Sequence, residues 1–466
     1  MMKRICKEEI KVATNKMNNN KAMGADGIQL ELIKYGPEIL FEEIANKLNN
    51  VIENHTLEMN LGQSILLPIP KPNKIPGPPK HLRPLNLLNT IRKILSTITL
   101  NRIKTKIDSY LSQSQAAYRD GRSTMDIIWA HKFIIAKTMI YQGIEVTNTG
   151  LEMSSAFDTV NRKELLDKLK QVIDEDELRM SRLLLSDTTM TLRFNNHAEE
   201  TFSSNKGSPQ GDAISGVFFN VAFENALRDL RAELNKNITT IEHNYSKKSS
   251  LPVEMIYADD CDFTSEDRLK NQEILAKAKP ILQNHDLIVN EDKWEITKIK
   301  RGKTKEEETE WRNMKKLGSL LGDYEDMKRR VQLSHATMKS VNSIWPNKKI
   351  HIKKRLKIYK TIVKSVLCYN MSTWGLTKKQ TDEFDRAQHR KQLRIVWNDN
   401  YKRNKEVYKD SKENSMSQHM KEARWSAFGH NLRLSNKAPS QMAMNFYFEI
   451  QVKQKDFLQE REKLYQ

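Results

Sequence analysis

Short apolar runs alternate with longer stretches of helical periodicity through the middle of the chain. The runs have the length and the β-branched and aromatic content of strands, and they are Ile144–Met153, Thr191–Phe194, Val253–Tyr257 and Cys261–Thr264. Helical stretches at Val217–Leu234 and Arg268–Gln283 separate them. Strands mixed with helices at this spacing predict an α+β or mixed α/β body.

The flanking segments have patterns of their own. Residues 1–60 place apolar residues at mixed helical spacings, with a break at Gly24–Gly27. Ser64–Pro70 is a short apolar run, and Pro70–Pro84 is a loop dense in Pro and Lys that cannot pair as a central strand. The helical pattern resumes over Leu85–Ile107. Further on, two amphipathic helices with Lys and Arg faces are predicted at His351–Tyr369 and Thr381–Trp397.

The composition excludes several classes of protein. The 466 residues are 38% hydrophobic, and no run approaches the roughly 18 apolar residues of a membrane span. The first residues lack the apolar core of a signal peptide. Only three cysteines are present, without a CxxC pair, which excludes a disulfide framework and Cys-rich zinc modules. We therefore expect an intracellular protein, in the cytoplasm, the nucleus or both, without a membrane partner.

The net charge of +19 is unevenly distributed. Residues 297–466 hold 39 Lys and Arg against 19 Asp and Glu, whereas residues 1–296 have a net charge of −1. A solvated helical surface is one interpretation of this bias. The other is a surface that binds nucleic-acid phosphates, joined to a near-neutral catalytic body.

Two acidic segments and a glycine-flanked loop indicate a chemistry. MIYADDCDF predicts two strands joined by a turn that bears Asp259 and Asp260, and LEMSSAFDTV predicts a further strand with acids over Leu151–Val160. KGSPQGDAIS is a loop that opens a helix and lets backbone approach a nucleotide closely. An isolated Asp-Asp turn would usually only face solvent. Together the three segments fit two-metal phosphoryl transfer, for which Mg²⁺ suits the oxygen ligands.

The order of motifs resembles the reverse transcriptases of non-LTR (LINE-type) retrotransposons, from about Asn18 to Leu434. LEMSSAFDTVNR resembles motif A, KGSPQGDAISGVFFN motif B, YADD motif C, HDLIVNEDKWEI motif D and KLGSLLGD motif E. PIPKPN and HLRPLNLLNTIRKILSTITLNRI resemble the fingers, and QAAYRDGRSTMD the segment before the palm. The resemblance implies a right-hand polymerase fold of α+β class, with fingers, a palm built on a mixed, mainly antiparallel sheet, and a helical thumb.

The resemblance also divides the chain into segments. It implies an N-terminal helical extension over 1–60, fingers over 61–140, and a palm over 141–300 that carries motifs A to D and a helical fingers segment between A and B. Motif E and the palm–thumb connection follow at 301–345, a basic helical thumb at 346–400 and a post-thumb region at 401–466. No endonuclease or CCHC knuckle is recognised in the sequence, which suggests an endonuclease-less or truncated copy.

Site residues are carried over at the matching positions. Asp259 and Asp260 match the motif C metal ligands, and Phe157 matches the steric gate that rejects a ribonucleotide 2′-hydroxyl. A buried aromatic that packs the strand is the alternative for Phe157. The remaining nucleotide-binding candidates are Arg83 and Lys71 for the triphosphate, Gln210 and Gly211 of motif B, and Lys293 of motif D, a proton donor to pyrophosphate. Their alternatives are a solvated charge, a helix-entry turn and a surface lysine, respectively.

One metal ligand departs from the family pattern. The first acid of motif A is Asp in the family, and here it is Glu152. Asp158 shares strand parity with Glu152, but six residues of strand span roughly 20 Å, so Asp158 is not expected to reach the same metals. We expect this substitution to impair the polymerase activity severely, and we expect Mn²⁺ to restore part of that activity. Milder departures are Leu61 in place of a tryptophan before the fingers strand, Gly216 in place of the motif B proline and Lys316 in place of the motif E aromatic. Together with Glu152 they suggest an ageing element copy or a repurposed domain.

The basic excess lies where the family has its thumb. Lys353, Lys354, Arg355 and Lys357 alternate with apolar residues, which predicts a cationic face that binds the template–primer hybrid. The expected partners are an RNA template, a DNA primer and dNTPs, with no organic cofactor. The competing functions are a catalytically inactive nucleic-acid-binding remnant and a viral RNA-dependent RNA polymerase. Phe157 and YADD argue against the latter, which usually has GDD and accepts ribose.

Overall fold

The computed structural model describes residues 3–54, 61–71, 75, 77–140, 144–186, 188–194, 197–236, 251, 254–266, 268–290, 294–304, 307–385, 389–399, 401 and 403–448. Helices and mainly antiparallel strands confirm the α+β class. The strands are β1 (Gln63–Pro70), β2 (Leu82–Leu88), β3 (Glu145–Leu151), β4 (Met153–Ser154), β5 (Thr188–Phe194), β6 (His197–Ser204), β7 (Glu254–Tyr257), β8 (Asp260–Ser265), β9 (Ile288–Val289), β10 (Glu295–Lys300), β11 (Lys315–Lys316) and β12 (Ser319–Leu320).

The helices occupy the ends of the chain and the intervals between strands. They are α1 (Lys7–Lys16), α2 (Leu30–Lys34), α3 (Glu38–Asn54), α4 (Thr90–Tyr110), α5 (Thr124–Ile140), α6 (Ala156–Thr159), α7 (Arg162–Leu169), α8 (Glu175–Leu185), α9 (Ser215–Lys236), α10 (Arg268–Asn284), α11 (Thr309–Asn313), α12 (Asp323–Ser340), α13 (Ile352–Ile358), α14 (Ser365–Leu367), α15 (Lys378–Phe384), α16 (Arg390–Trp397), α17 (Asn404–Ser411), α18 (Met416–Arg433) and α19 (Pro439–Phe448). Within the described residues, none of these helices is long and apolar enough to cross a bilayer.

Contacts divide the chain into two compact units, each built from separate segments. The first unit comprises Met1–Gly121, Leu151–Thr239 and Glu273–Lys293, and the second comprises Arg122–Gly150, Thr240–Gln272 and Trp294–Gln466. The division into six segments inferred from the family resemblance stays a prediction.

The first unit contains a four-stranded sheet in the order β2-β1-β5-β6. Strands β1 and β2 pair antiparallel with Pro68 opposite Pro84, and β1 pairs parallel with β5. The expected helix over Leu85–Ile107 is therefore wrong at its start, because the strand β2 runs to Leu88 and the helix begins only at Thr90. The predicted loop also ends earlier than Pro84, since β2 begins at Leu82. Proline is tolerated there because β2 is an edge strand.

The second unit contains the sheet β10-β3-β8-β7, and the predicted strands around motif C are confirmed. Strands β7 and β8 form an antiparallel hairpin, and β10 pairs antiparallel with β3. The predicted helix His351–Tyr369 comprises α13, a π-helical segment over Tyr359–Lys364, and α14. The predicted helix Thr381–Trp397 overlaps α15 and α16, and residues 386–388 between them lie outside the described residues. Apolar residues of α13, the π-helical segment and α16 pack with Trp345 in one buried cluster, whereas those of α14 and α15 pack with Trp374 in another.

A buried histidine in the second unit is expected to make the stability of the protein depend on pH. His389 is fully buried, and its Nδ1 lies 2.9 Å from the hydroxyl of Tyr359. Burial, assisted by the charge of Lys364, lowers the pKa of His389 from 6.5 to about 3. The unfolded chain therefore binds a proton that the folded chain excludes between these pH values, and stability falls as pH decreases through that window.

Between pH 7 and pH 5 we expect His389 alone to cost about 2 kcal/mol of unfolding free energy. Urea unfolding at the two pH values, followed by tryptophan fluorescence, measures the loss. The variant His389→Gln stays neutral throughout and should lose about 2 kcal/mol less than the wild type over the same range. Equal losses in the two proteins would contradict the prediction.

Candidate functional site

The paired acids of motif C lie at the tip of the β7–β8 hairpin. Tyr257 pairs with Asp260, so Ala258 and Asp259 form a two-residue loop. Such loops commonly need a positive φ, and Ala258 adopts 56° although it has a Cβ. Met255 and Ile256 of β7 and the residues of β8 from Cys261 onward are buried, whereas Asp259 is half-buried and Asp260 is exposed. The predicted turn bearing adjacent carboxylates is therefore present.

A buried network of polar side chains surrounds Asp262 on β8 and stabilises this hairpin. The carboxylate of Asp262, two residues beyond the turn, accepts from Lys316 Nζ at 2.8 Å, Asn148 Nδ2 at 3.0 Å and His131 Nε2 at 3.2 Å. Burial alone would raise the pKa of Asp262, but the Lys316 ammonium and the His131 contact outweigh it and hold that pKa well below its usual range. Sequence reasoning missed this role of Asp262.

Lys316 reaches that carboxylate because Gly150 leaves the space open. A Cβ added at Gly150 would lie 2.6 Å from Lys316 Nζ and 3.1 Å from Asp262 Oδ1. Lys316 also contacts Glu295 at 3.2 Å. The only sequence signal of this pair was that Lys316 departs from the family pattern. Its partner Asp262 is 54 residues away in sequence, so no local pattern connects the two.

Glu152 directly follows β3 along the chain and belongs to the first unit. Its carbonyl oxygen accepts from Asn290 N at 2.9 Å, and β4 then pairs antiparallel with β9. Leu151 and Met153 on either side are buried, so the backbone at Glu152 is fixed, and its side chain is half-buried.

The predicted strand over Leu151–Val160 is wrong in its second half. Ser155 adopts a left-handed conformation with φ 51°, and the helix α6 begins at Ala156. The argument that six residues of strand separate Asp158 from Glu152 by roughly 20 Å therefore does not apply. Asp158 instead accepts from Gln210 Nε2 at 3.4 Å. Partial withdrawal from water raises the pKa of Asp158, and Gln210 and Lys71 partly offset this effect.

Motif A and motif B are joined by backbone hydrogen bonds in the first unit. Gly207 N donates to Val160 O and Ser208 N donates to Phe157 O, both at 2.8 Å. Gly207 has φ 77°, and a Cβ there would lie 2.8 Å from the carbonyl oxygen of Asp158. Buried Arg162 donates to the carbonyls of Ser204, Lys206 and Gly207 at 2.6 to 3.0 Å. Arg162 thereby holds the entry to motif B, a role that sequence reasoning missed.

The fingers strand β2 contacts the same loop. Asn86 N donates to Gln210 O at 3.0 Å. Gly211 has φ 112°, and an added Cβ would lie 2.9 Å from the carbonyl oxygen of Asn86. Arg83 is exposed on β2, and Lys71 N donates to His81 O at 2.8 Å at the same end of the β1–β2 pair.

The other nucleotide-binding candidates have different outcomes. Phe157 is half-buried in α6, where its ring stacks on Phe219 at 4.8 Å between centroids. The first unit thus brings Phe157, Gln210 and Gly211 together at the motif B loop, and Lys71 and Arg83 lie on the β1–β2 segment whose strand β2 contacts that loop. Lys293 lies outside the described residues.

The thumb candidates differ among themselves. Lys353, Lys354 and Lys357 are exposed on α13 in the second unit. Arg355 is half-buried, and its Nη1 donates to Trp345 O at 2.6 Å. The three lysines are therefore accessible to phosphates, whereas Arg355 contributes to packing.

The carboxylates of the motif C turn have the chemistry of a site for divalent ions. Adjacent carboxylate oxygens at an exposed turn suit the preference of Mg²⁺ for oxygen ligands. Among the described residues, however, no three His, Cys, Asp or Glu side chains form a metal-binding cluster. Within the described residues, the turn therefore offers two adjacent carboxylates as candidate ligands.

Residues 69–321 match the protein family described as "Reverse transcriptase (RNA-dependent DNA polymerase)", which is more than half of the chain. The chain belongs to the reverse transcriptase family. The resemblance to transposon enzymes is also confirmed by a Drosophila melanogaster relative named "Probable RNA-directed DNA polymerase from transposon BS", 23% identical over 217 residues. The match covers 46% of this chain and 24% of the relative, so the chain spans about a quarter of that protein's length.

Two solved telomerases are also similar to this reverse transcriptase. The apo enzyme from Candida tropicalis, truncated from its C-terminal domain, gives a TM-score of 0.40 at 12% identity, covering 61% of this chain and 59% of that one. The Candida albicans enzyme with a TWJ fragment of telomeric RNA gives 0.39 at 11% identity, covering 89% and 69%. The family match, rather than these distant likenesses, carries the right-hand polymerase fold, with which the α+β elements agree.

Proposed function

We propose that this chain is an RNA-directed DNA polymerase domain that extends a DNA primer on an RNA template by two-metal nucleotidyl transfer. The observation that carries the proposal is the pair Asp259–Asp260 at the tip of a buried hairpin, in a chain that belongs to the reverse transcriptases. Glu152, Asp259 and Asp260 would hold two Mg²⁺ ions. When bound, such ions activate the attacking 3′-hydroxyl and stabilise the leaving pyrophosphate.

The loop of the first unit supports nucleotide binding in this proposal. Arg83 and Lys71 would bind the triphosphate, because fixed cations suit phosphate oxygens. Gly211 lets backbone approach the nucleotide, and Gln210 would lie near the templating base. Phe157 would exclude a ribose 2′-hydroxyl, and Lys293 stays a predicted proton donor.

A second candidate is a nucleic-acid-binding remnant that no longer polymerises. Glu152 in place of the family's aspartate favours it, since a displaced ligand weakens catalysis without removing the basic surface. The two candidates differ in one measurement, which is primer extension.

Metal-dependent dNTP incorporation on a primed RNA template tests the proposal. We expect slow extension with Mg²⁺ and faster extension with Mn²⁺, and none by Asp259→Asn, because the amide removes the charge that the ions require. Glu266→Gln removes a charge from an exposed acid just beyond β8 and should leave the rate unchanged. Binding of the primed template without extension, under both metals, would support the remnant instead.

The exposed lysines of α13 predict the salt dependence of hybrid binding. Lys353, Lys354 and Lys357 would each release about one counterion on contact with phosphate. Changing all three to Gln should weaken binding and reduce the slope of log affinity against log salt by about one per lysine. The matched control changes three exposed lysines of the first unit, Lys47, Lys163 and Lys170, to Gln. An equal change of slope in both triple variants would place the hybrid elsewhere.

A further inference from the structure

Tyr118, in the segment that joins α4 and α5, has a strained backbone and an exposed ring. Its φ is 55°, in the left-handed region that is disfavoured for a bulky residue, and 54% of its surface is exposed. Such conformations persist where the surroundings hold them, and they cluster at functional sites.

The neighbours of Tyr118 fix this conformation on both sides. Ala117 is buried, and its carbonyl accepts from the side chain of Asn220, on α9, at 2.8 Å. Arg119 donates to the carbonyls of Ser112 and Gln115 at 2.6 and 3.1 Å. The backbone is therefore held by α9 on one side and by its own loop on the other.

The ring of Tyr118 lies on Gly216 of motif B. A Cβ added at Gly216 would lie 2.4 Å from Cγ and Cδ1 of the tyrosine, closer than any real contact. Glycine in place of the family's proline at this position therefore fits its surroundings, because the Tyr118 ring occupies the space that a side chain would need.

Phe157 lies between Tyr118 and α9. The Tyr118 ring meets Phe157 edge-on at 6.0 Å and 82°, and the Phe157 ring stacks on Phe219, which stacks on Phe223 at 5.5 Å. Edge-to-face and offset-stacked pairs are the favourable aromatic geometries. The half-buried Phe157 ring is thereby held by the phenylalanines of α9 and by Tyr118.

We infer that Tyr118 is a positioning residue for sugar discrimination, which holds the Phe157 ring where it meets the nucleotide's 2′ position, and that Gly216 provides its space. The inference rests on the proposed function, in which Phe157 excludes ribose. The selectivity for dNTPs over rNTPs then depends on two residues outside motif A, Tyr118 and Gly216.

The ratio of dNTP to rNTP incorporation tests the inference, in a Glu152→Asp background that provides measurable rates. Tyr118→Leu and Gly216→Ala should each lower the ratio about tenfold, the upper range for one aromatic contact. Tyr118→Phe keeps the ring and should keep the ratio. The double variant Tyr118→Leu/Gly216→Ala should equal Tyr118→Leu alone, because the added methyl then meets no ring.

The possible failures are distinguishable. If Phe157→Ala lowers the ratio while Tyr118→Leu and the double variant do not, the inference is overturned and the proposed function stands. If dNTPs are incorporated and even Phe157→Ala leaves the ratio unchanged, Phe157 is not the gate and the inference also fails. No incorporation by any variant would overturn the proposed function and the inference together. Unfolding temperatures identify a variant that has lost its fold, and Tyr118→Leu remains decisive where Gly216→Ala does not fold.

Discussion

Replacing Glu152 by aspartate is expected to raise the rate of dNTP incorporation about a hundredfold, if the chain polymerises as proposed. The extra methylene of glutamate displaces the carboxylate by about 1.5 Å, one carbon–carbon bond, and misplacement of about 1 Å can reduce a rate about a hundredfold. The backbone cannot withdraw to compensate, because Leu151 and Met153 are buried and the Glu152 carbonyl accepts from Asn290 N.

Single-nucleotide incorporation with Mg²⁺ and with Mn²⁺ measures this effect. The wild type should gain more from Mn²⁺ than Glu152→Asp, since the shorter side chain restores the family's ligand position. Glu152→Gln keeps the length without the charge and should be inactive. The same substitution at the other end of β3, Glu145→Asp, is the matched control and should change little. Wild-type rates equal to those of Glu152→Asp would show that the glutamate is no impediment.

Local patterns predicted the motif C hairpin because its signals are local. Short apolar runs on both sides of an Asp-Asp turn suffice to define β7 and β8, and the structure begins and ends them within one or two residues of the prediction. The prediction for the segment after Glu152 was wrong because that segment has no clear local pattern. Ser-Ser-Ala-Phe-Asp-Thr has no strong period, and one left-handed residue, Ser155, turns the strand into a helix.

Long-range contacts explain what the sequence could not predict at the site. Arg162 resembles an ordinary helix residue, yet it is buried and donates to carbonyls more than 20 residues away. The Asp262–Lys316 pair and the Tyr118–Gly216 contact likewise join segments that no local period connects. At β2, pairing with β1 overrode a pattern that resembled the start of α4.

Breaking the buried ion pair of Arg92 and Asp212 is expected to lower the free energy of unfolding by about 3–5 kcal/mol. Both side chains are 1% exposed, and Arg92 Nε lies 3.3 Å from Asp212 Oδ2. Arg92 also donates to the carbonyls of Leu61 at 3.1 Å and Leu184 at 2.5 Å, and Ser96 donates to the other oxygen of Asp212. Arg92→Met leaves an uncompensated carboxylate in the core, together with two carbonyls that lose their donors.

The position of Asp212 makes this loss relevant to the candidate site. Asp212 directly follows Gly211, so the ion pair anchors the motif B turn to α4. Urea unfolding measures the effect, and Lys104→Met on the same helix is the control, because its pair with Asp120 is exposed and should contribute less than about 1 kcal/mol. The double variant Arg92→Met/Asp212→Leu should recover part of the loss, since it removes the unpaired charge. If Arg92→Met cost no more than Lys104→Met, the pair would contribute nothing to stability, and the turn would be held by its other contacts, which include Ser96 and the backbone of β2.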